Sequence, residues 1–98
     1  MAYRDFMTED RRLAELRFLA EDNDYSLNDS VMQTALGEIG HGVSREVIWA
    51  DFAFLAELGL ITVEKPLDGR VTVARLTSRG EVARGRATVP GVKKPRPE

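Results

Sequence analysis

An α+β domain, with three helices followed by a two-stranded β-hairpin and a short closing helix, is what this sequence of 98 residues predicts. Three stretches carry the prediction. Ser44 to Ile61 (SREVIWADFAFLAELGLI) opens on a residue suited to N-capping, sets its apolar side chains three and four apart, and closes on Gly59 before a β-branched run. Gly40-His41-Gly42 interrupts helical periodicity and permits a tight reversal. Lys65-Pro66-Leu67-Asp68-Gly69-Arg70 lies between two β-rich runs and reads as a hairpin connection with its tip near Asp68-Gly69.

Taken in order, Met1 to Met7 reads as a loose lead-in, and Thr8 as the cap of a first helix whose first turn holds Glu9 and Asp10. Leu13, Leu16 and Ala20 mark its apolar stripe, widened by Phe18 and Leu19, and Glu21 to Asp24 forms the polar turn that ends it. Tyr25-Ser26-Leu27 reads as an extended link. Asn28 caps a second helix reaching about Ile39, with Val31, Met32, Ala35, Leu36 and Ile39 at helical spacing. After the glycine turn, Ser44 starts the third helix. Leu60 to Glu64 and Val71 to Leu76 are the hairpin strands, the second able to bury only one face. Thr77 or Ser78 caps a last helix to about Ala87. The domain therefore spans residues 1–87, and residues 88–98, holding three prolines and three lysine or arginine residues, read as a flexible basic tail.

Composition narrows the function classes. A chain of this length forms one small core. No cysteine is present, which removes thiol nucleophiles, thiolate metal sites and disulfides, and makes a reducing cytoplasm the expected compartment. No signal-peptide pattern and no membrane-length apolar run is present, so no membrane partner is expected. The net charge of −2 is unevenly spread. Met1 to Val63 carries 5 basic against 12 acidic residues, a net of −7, whereas Glu64 to Glu98 carries 9 against 4, a net of +5. Such a division suits contact with nucleic acid, self-association of opposite patches, or a plain solvated surface with a basic tail.

The order helix, helix, glycine turn, helix, Gly59-Leu60-Ile61, hairpin, Leu76-Thr77-Ser78-Arg79-Gly80 resembles winged helix-turn-helix transcription regulators of the multiple-antibiotic-resistance and arsenical-resistance types, over Thr8 to Arg86. A closer resemblance is to a small family encoded by Mu-like phages and prophages. It rests on Gly40-His41 before Val43-Ser44-Arg45, on Leu55-Ala56-Glu57-x-Gly59-Leu60, and on the ending Gly85-Arg86-Ala87-x-Val89-Pro90-Gly91-Val92-Lys93-Lys94-Pro95. Members lie among late head and packaging genes, which implies a role in phage development inside the bacterial host. No catalytic residues come with that resemblance.

Catalysis finds little support in the residues themselves, and neither enzyme chemistry nor a cofactor is expected. His41 is the single histidine and sits in a turn, where a surface or turn-structuring role explains it; Ser44 and Ser78 are explained as helix caps. Double-stranded DNA is the partner the resemblance implies. The N-terminal part of a recognition helix meets base edges, here Arg45, Glu46, Trp49, Ala50 and Ala53. Lys65, Arg70, Lys93, Lys94 and Arg96 would grip phosphates from hairpin and tail, joined by Arg79, Arg84 and Arg86. Glu46 and Asp51 on the same helix oppose that role. They favour an alternative in which Trp49, Ala53 and Ala56 form an apolar stripe that docks a second copy or another phage protein. Trp49 closing the core against the first helix is the plainer reading of the same residue. Asp51, amid apolar neighbours, is expected to reach the rim or pair with an arginine.

Overall fold

The computed structural model describes residues 2–85 and 90–93. Among the described residues, four helices and a three-stranded antiparallel sheet make a mixed α+β fold. The elements are α1 (Tyr3–Glu21), β1 (Ser26–Asn28), α2 (Asp29–Glu38), α3 (Arg45–Glu57), β2 (Ile61–Glu64), β3 (Val73–Leu76) and α4 (Ser78–Gly85). A short turn over Leu67–Gly69 caps the β2–β3 hairpin.

Local signals set most boundaries. The Asn28 side chain accepts from the Val31 N–H and Ser44 Oγ from the Val47 N–H, so α2 and α3 begin where short polar side chains satisfy free amides. Gly59 follows α3 with φ +77°, and its N–H donates to the Ala56 carbonyl. Thr77 does two jobs: its Oγ1 accepts from the Gly80 N–H at the start of α4 and donates to the Gly59 carbonyl. Of the two glycines in the α2–α3 turn only Gly40 takes a positive φ.

Two expectations change. Helix α1 begins at Tyr3 rather than after Thr8, with Ala2 in N-cap position and no side-chain cap. The Phe6 N–H already donates to the Ala2 carbonyl, so a good capping residue at Thr8 is simply overrun by a helix that starts earlier. The link after α1 is also more than a connector. Ser26, Leu27 and Asn28 pair with Arg75, Ala74 and Val73, giving β3 a second neighbour and the sheet the order β1-β3-β2. Three residues are too few to show an alternating pattern, and the pairing energy comes from a strand almost fifty residues away.

The core lies between the sheet and the helices. Leu13, Leu16 and Leu19 of α1 meet Met32 and Leu36 of α2, Ile48, Phe52 and Leu55 of α3, and Leu60, Ile61 and Ala74 from the sheet side. Val92 belongs to the same cluster and is only 4% exposed. The segment 90–93 therefore lies against the domain as a strap, and the reading of everything past Thr88 as a flexible tail does not describe it. The Arg12 guanidinium donates to the Gly91 carbonyl, the Lys93 N–H to the Glu9 carbonyl, and Lys93 Nζ pairs with Asp10 at 2.9 Å. Among the described residues no helix is long and apolar enough to cross a membrane.

Candidate nucleic-acid interface

Helical periodicity divides α3 into two faces. Ile48, Asp51, Phe52 and Leu55 point inward, while Arg45, Glu46, Trp49, Ala50, Ala53 and Glu57 are exposed. The outward face is thus one cation, two anions, a tryptophan and two alanines. Ala56 is half-buried against the core and does not extend the stripe formed by Trp49 and Ala53.

Trp49 is 44% exposed, yet it is not free to swing. Its indole N–H donates to Asp29 Oδ2 at 2.7 Å, and Asp29 is itself buried at the first position of α2, its other oxygen accepting from the Ser30 N–H. The tryptophan therefore leans on the start of α2 and does not seal the core against α1. Arg45 also reaches α2: its guanidinium lies 3.4 Å from Gln33 Oε1, and Gln33 donates to the Val43 carbonyl inside the turn. These links fix the α2–α3 pair as one unit.

Of the remaining residues read as DNA contacts, Lys65 and Arg70 are exposed at the hairpin and Arg79 is exposed on α4. Lys93 is already engaged: besides its pair with Asp10, its ammonium sits 5.1 Å from the Phe6 ring centroid. Arg86, Lys94 and Arg96 lie outside the described residues, as does the side chain of Arg84. Arg75, not singled out from the sequence, is exposed and donates to the Asp24 carbonyl.

Behind α3, Asp51 pairs with an arginine as expected, though which arginine, and the Glu15 beside the pair, sequence reasoning did not reach. Asp51 is 1% exposed and receives a bidentate contact from Arg11, at 2.6 and 3.0 Å, plus a longer one from Arg12 at 3.3 Å. Arg12 also stacks over the Phe54 ring, 3.9 Å from its centroid. The hydrogen bond to Asp51 outweighs burial and raises the Arg11 pKa, so the guanidinium stays charged. Beside the pair lies Glu15, fully buried, with no described group donating to either of its oxygens; in its protonated form it shares a side-chain hydrogen bond with Asp51. Burial, then the adjacent Asp51 carboxylate, pushes Glu15 well above the usual carboxylate range, while the two arginines oppose the shift only in part. Two of the five basic residues before Glu64 are thereby taken up inside the fold and leave Arg45 as the cation of the α3 surface. An acid amid apolar neighbours was the visible signal; its partners, forty residues away on α1, were not.

His41 is buried rather than on the surface, with Nε2 2.7 Å from Asp10 Oδ2. Its own N–H closes the end of α2 on the Leu36 carbonyl. Burial works to raise the Asp10 carboxyl, but hydrogen bonds from Lys93 and His41 outweigh it and hold Asp10 below its ordinary value. The cluster is a fastener between α1, the α2–α3 turn and the strap.

Two known proteins are similar to this chain. Over 94 residues, covering 95% of both chains, it is 51% identical to the uncharacterized protein gp26 of Escherichia phage Mu. Over 79 residues, 81% of this chain and 76% of the relative, it is 37% identical to an uncharacterized protein of Haemophilus influenzae. No family model matches the sequence. With that identity over nearly the full length of both, the chain belongs to the family of phage Mu gp26.

Proposed function

We propose that this phage-family protein is a winged helix-turn-helix domain that binds double-stranded DNA, serving phage or prophage development as a regulator or packaging accessory and working by binding rather than catalysis. The connectivity is the observation that carries the reading. An α1–β1–α2–α3–β2–β3 order on a β1-β3-β2 sheet leaves one face of α3 and one basic hairpin outside the core. Under this reading α3 offers Arg45 to a groove, while Lys65, Arg70 and Arg79 contact phosphates. Placement in the bacterial cytoplasm goes with it.

The experiment is fluorescence anisotropy of a labelled duplex titrated with the protein at several salt concentrations. The expected result is micromolar binding that weakens steeply with salt, each phosphate contact contributing about 0.9 to the logarithmic slope. Absence of binding at low salt would refute the reading.

One observation favours a second reading. The outward face of α3 carries Glu46 and Glu57 against Arg45, and at its centre a tryptophan already oriented by Asp29. An aromatic whose rotamer is fixed before docking loses little entropy on binding, which suits a protein partner or a second copy. Loss of association in Trp49→Ala, with the Arg70→Ala variant unaffected, would select that reading.

A further inference from the structure

The hairpin tip is strained and projects an apolar side chain. Leu67, Asp68 and Gly69 follow one another with φ of +56°, +57° and +83°. Only the last is a residue for which left-handed backbone is free of cost; a γ-branched leucine there is an outlier. The Gly69 N–H donates to the Pro66 carbonyl and the Arg70 N–H to the Leu67 carbonyl, so two successive tight turns hold the run. Leu67 is nonetheless 69% exposed and makes no part of the core. Folding therefore gains almost no burial from this leucine while bearing its strained backbone. Such an outlier points to a function outside the folded monomer.

Its surroundings say what kind. Pro66, also exposed, precedes Leu67 with its φ fixed by the ring at −66°, so the two apolar residues form one stiff projection. Lys65 and Arg70 stand at its two sides, both exposed and without an ion pair among the described residues. Asp68 is the one acid within residues 65–70. An apolar wedge between two cations on a two-stranded ribbon matches the chemistry of a duplex minor groove. There phosphates line both walls, and a leucine or proline can enter a base step.

We infer that the Pro66-Leu67 tip is a wedge that enters a base step of double-stranded DNA from the minor groove and bends the duplex. This rests on the DNA-binding reading above. Lys65 and Arg70 hold the flanking phosphates, and Leu67 partly unstacks the step. The bend of about 20–90° that such wedges produce brings more of the duplex against the protein. Steps that unstack easily, TA and CA/TG, are the preferred sites.

The test uses the full chain and a short duplex carrying a central TA step, labelled at its two ends for energy transfer and at one end for anisotropy. The variants are Leu67→Asn and Asp68→Asn. Asparagine tolerates left-handed backbone better than leucine, so the first variant relieves strain, keeps the fold and removes only the wedge. Wild type is expected to bind and shorten the end-to-end distance. Leu67→Asn is expected to bind with the same salt slope, about tenfold more weakly, the low end of what burying a leucine is worth, and without shortening. Asp68→Asn should tighten binding and keep the bend. Wild-type binding without bending, or equal bending by Leu67→Asn, overturns the wedge while leaving DNA binding in place. No binding by any variant at low salt overturns both. A dimer in sedimentation that Leu67→Asn dissolves would reassign the tip to a protein groove and overturn the wedge.

Discussion

Replacing Glu15 with glutamine should remove a pH dependence of stability that the native chain carries. In the unfolded chain Glu15 titrates near its ordinary value of about 4.3. In the fold, burial and the Asp51 carboxylate raise it well above that. Between the two values the folded state holds one proton more than the unfolded state, so stability falls as pH rises. One proton fixes the slope at about 1.4 kcal/mol per pH unit, beginning above the unfolded pKa and ending once the folded pKa is passed. For a domain of this size each kilocalorie moves the midpoint of melting by about 4 °C or more, so the slope corresponds to roughly 6 °C per pH unit. Glutamine has the same shape, bears no charge at any pH, and can present an amide N–H to Asp51. Urea unfolding followed by Trp49 fluorescence, run from about pH 4.5 to about pH 8, gives both curves. The difference between wild type and Glu15→Gln isolates this residue from Asp10, whose lowered pKa places its own loss of stability at the acid end. A difference curve that is flat or rises toward alkaline pH would show that Glu15 does not carry the proton, and the account of the cluster would fall with it.

Other perturbations follow from the same contacts. Asp51→Ala strips a buried guanidinium of its bidentate partner and should cost about 3 kcal/mol in urea unfolding, the low end for a broken buried pair because Glu15 can then ionise toward Arg11. An unchanged midpoint would contradict the burial of that pair. Gly80→Ala places a methyl group into the Leu60 carbonyl and against Leu76, and should lower stability by about 1–3 kcal/mol by thermal melting, as overpacking does. Lys65→Ala and Arg70→Ala should each flatten the salt slope of duplex binding by about 0.9, whereas Trp49→Ala should leave the slope alone. The reverse pattern would turn the search toward a protein partner.

What the sequence revealed and what it hid divide along chain separation. Asn28, Ser44 and Gly59 mark helix ends through bonds that reach only three residues, and the helices they delimit, α2 and α3, lie where periodicity puts them. The hairpin strands were equally local. Strand β1 was invisible because its partner is β3, and α1 ran past a cap that local reasoning favours. The polar fasteners were hidden for the same reason. Asp51 to Arg11 spans 40 positions, His41 to Asp10 spans 31, and Lys93 to Asp10 spans 83. A charged residue announces that it needs a partner but not where the partner is. For the candidate interface, Arg45, Lys65, Arg70 and Arg79 are exposed, while the engagement of Lys93 with Asp10 depends on the strap.

The strap also changes where the fold can be cut. Arg12 and Gly91 are 79 positions apart, and Val92 fills a place in the core that no residue before α4 occupies. A chain released after Ala87 leaves that place open, frees Asp10 from Lys93 and uncovers the Phe54 ring that Gly91 faces. Such a truncation would lower stability before it said anything about phosphate contacts, so the informative cut lies after Lys93. During synthesis the same geometry delays closure. The Glu9–Arg12 turn of the first helix stays uncovered until residues 91–93 have been made, and until then the core stands open along the side where the strap will lie.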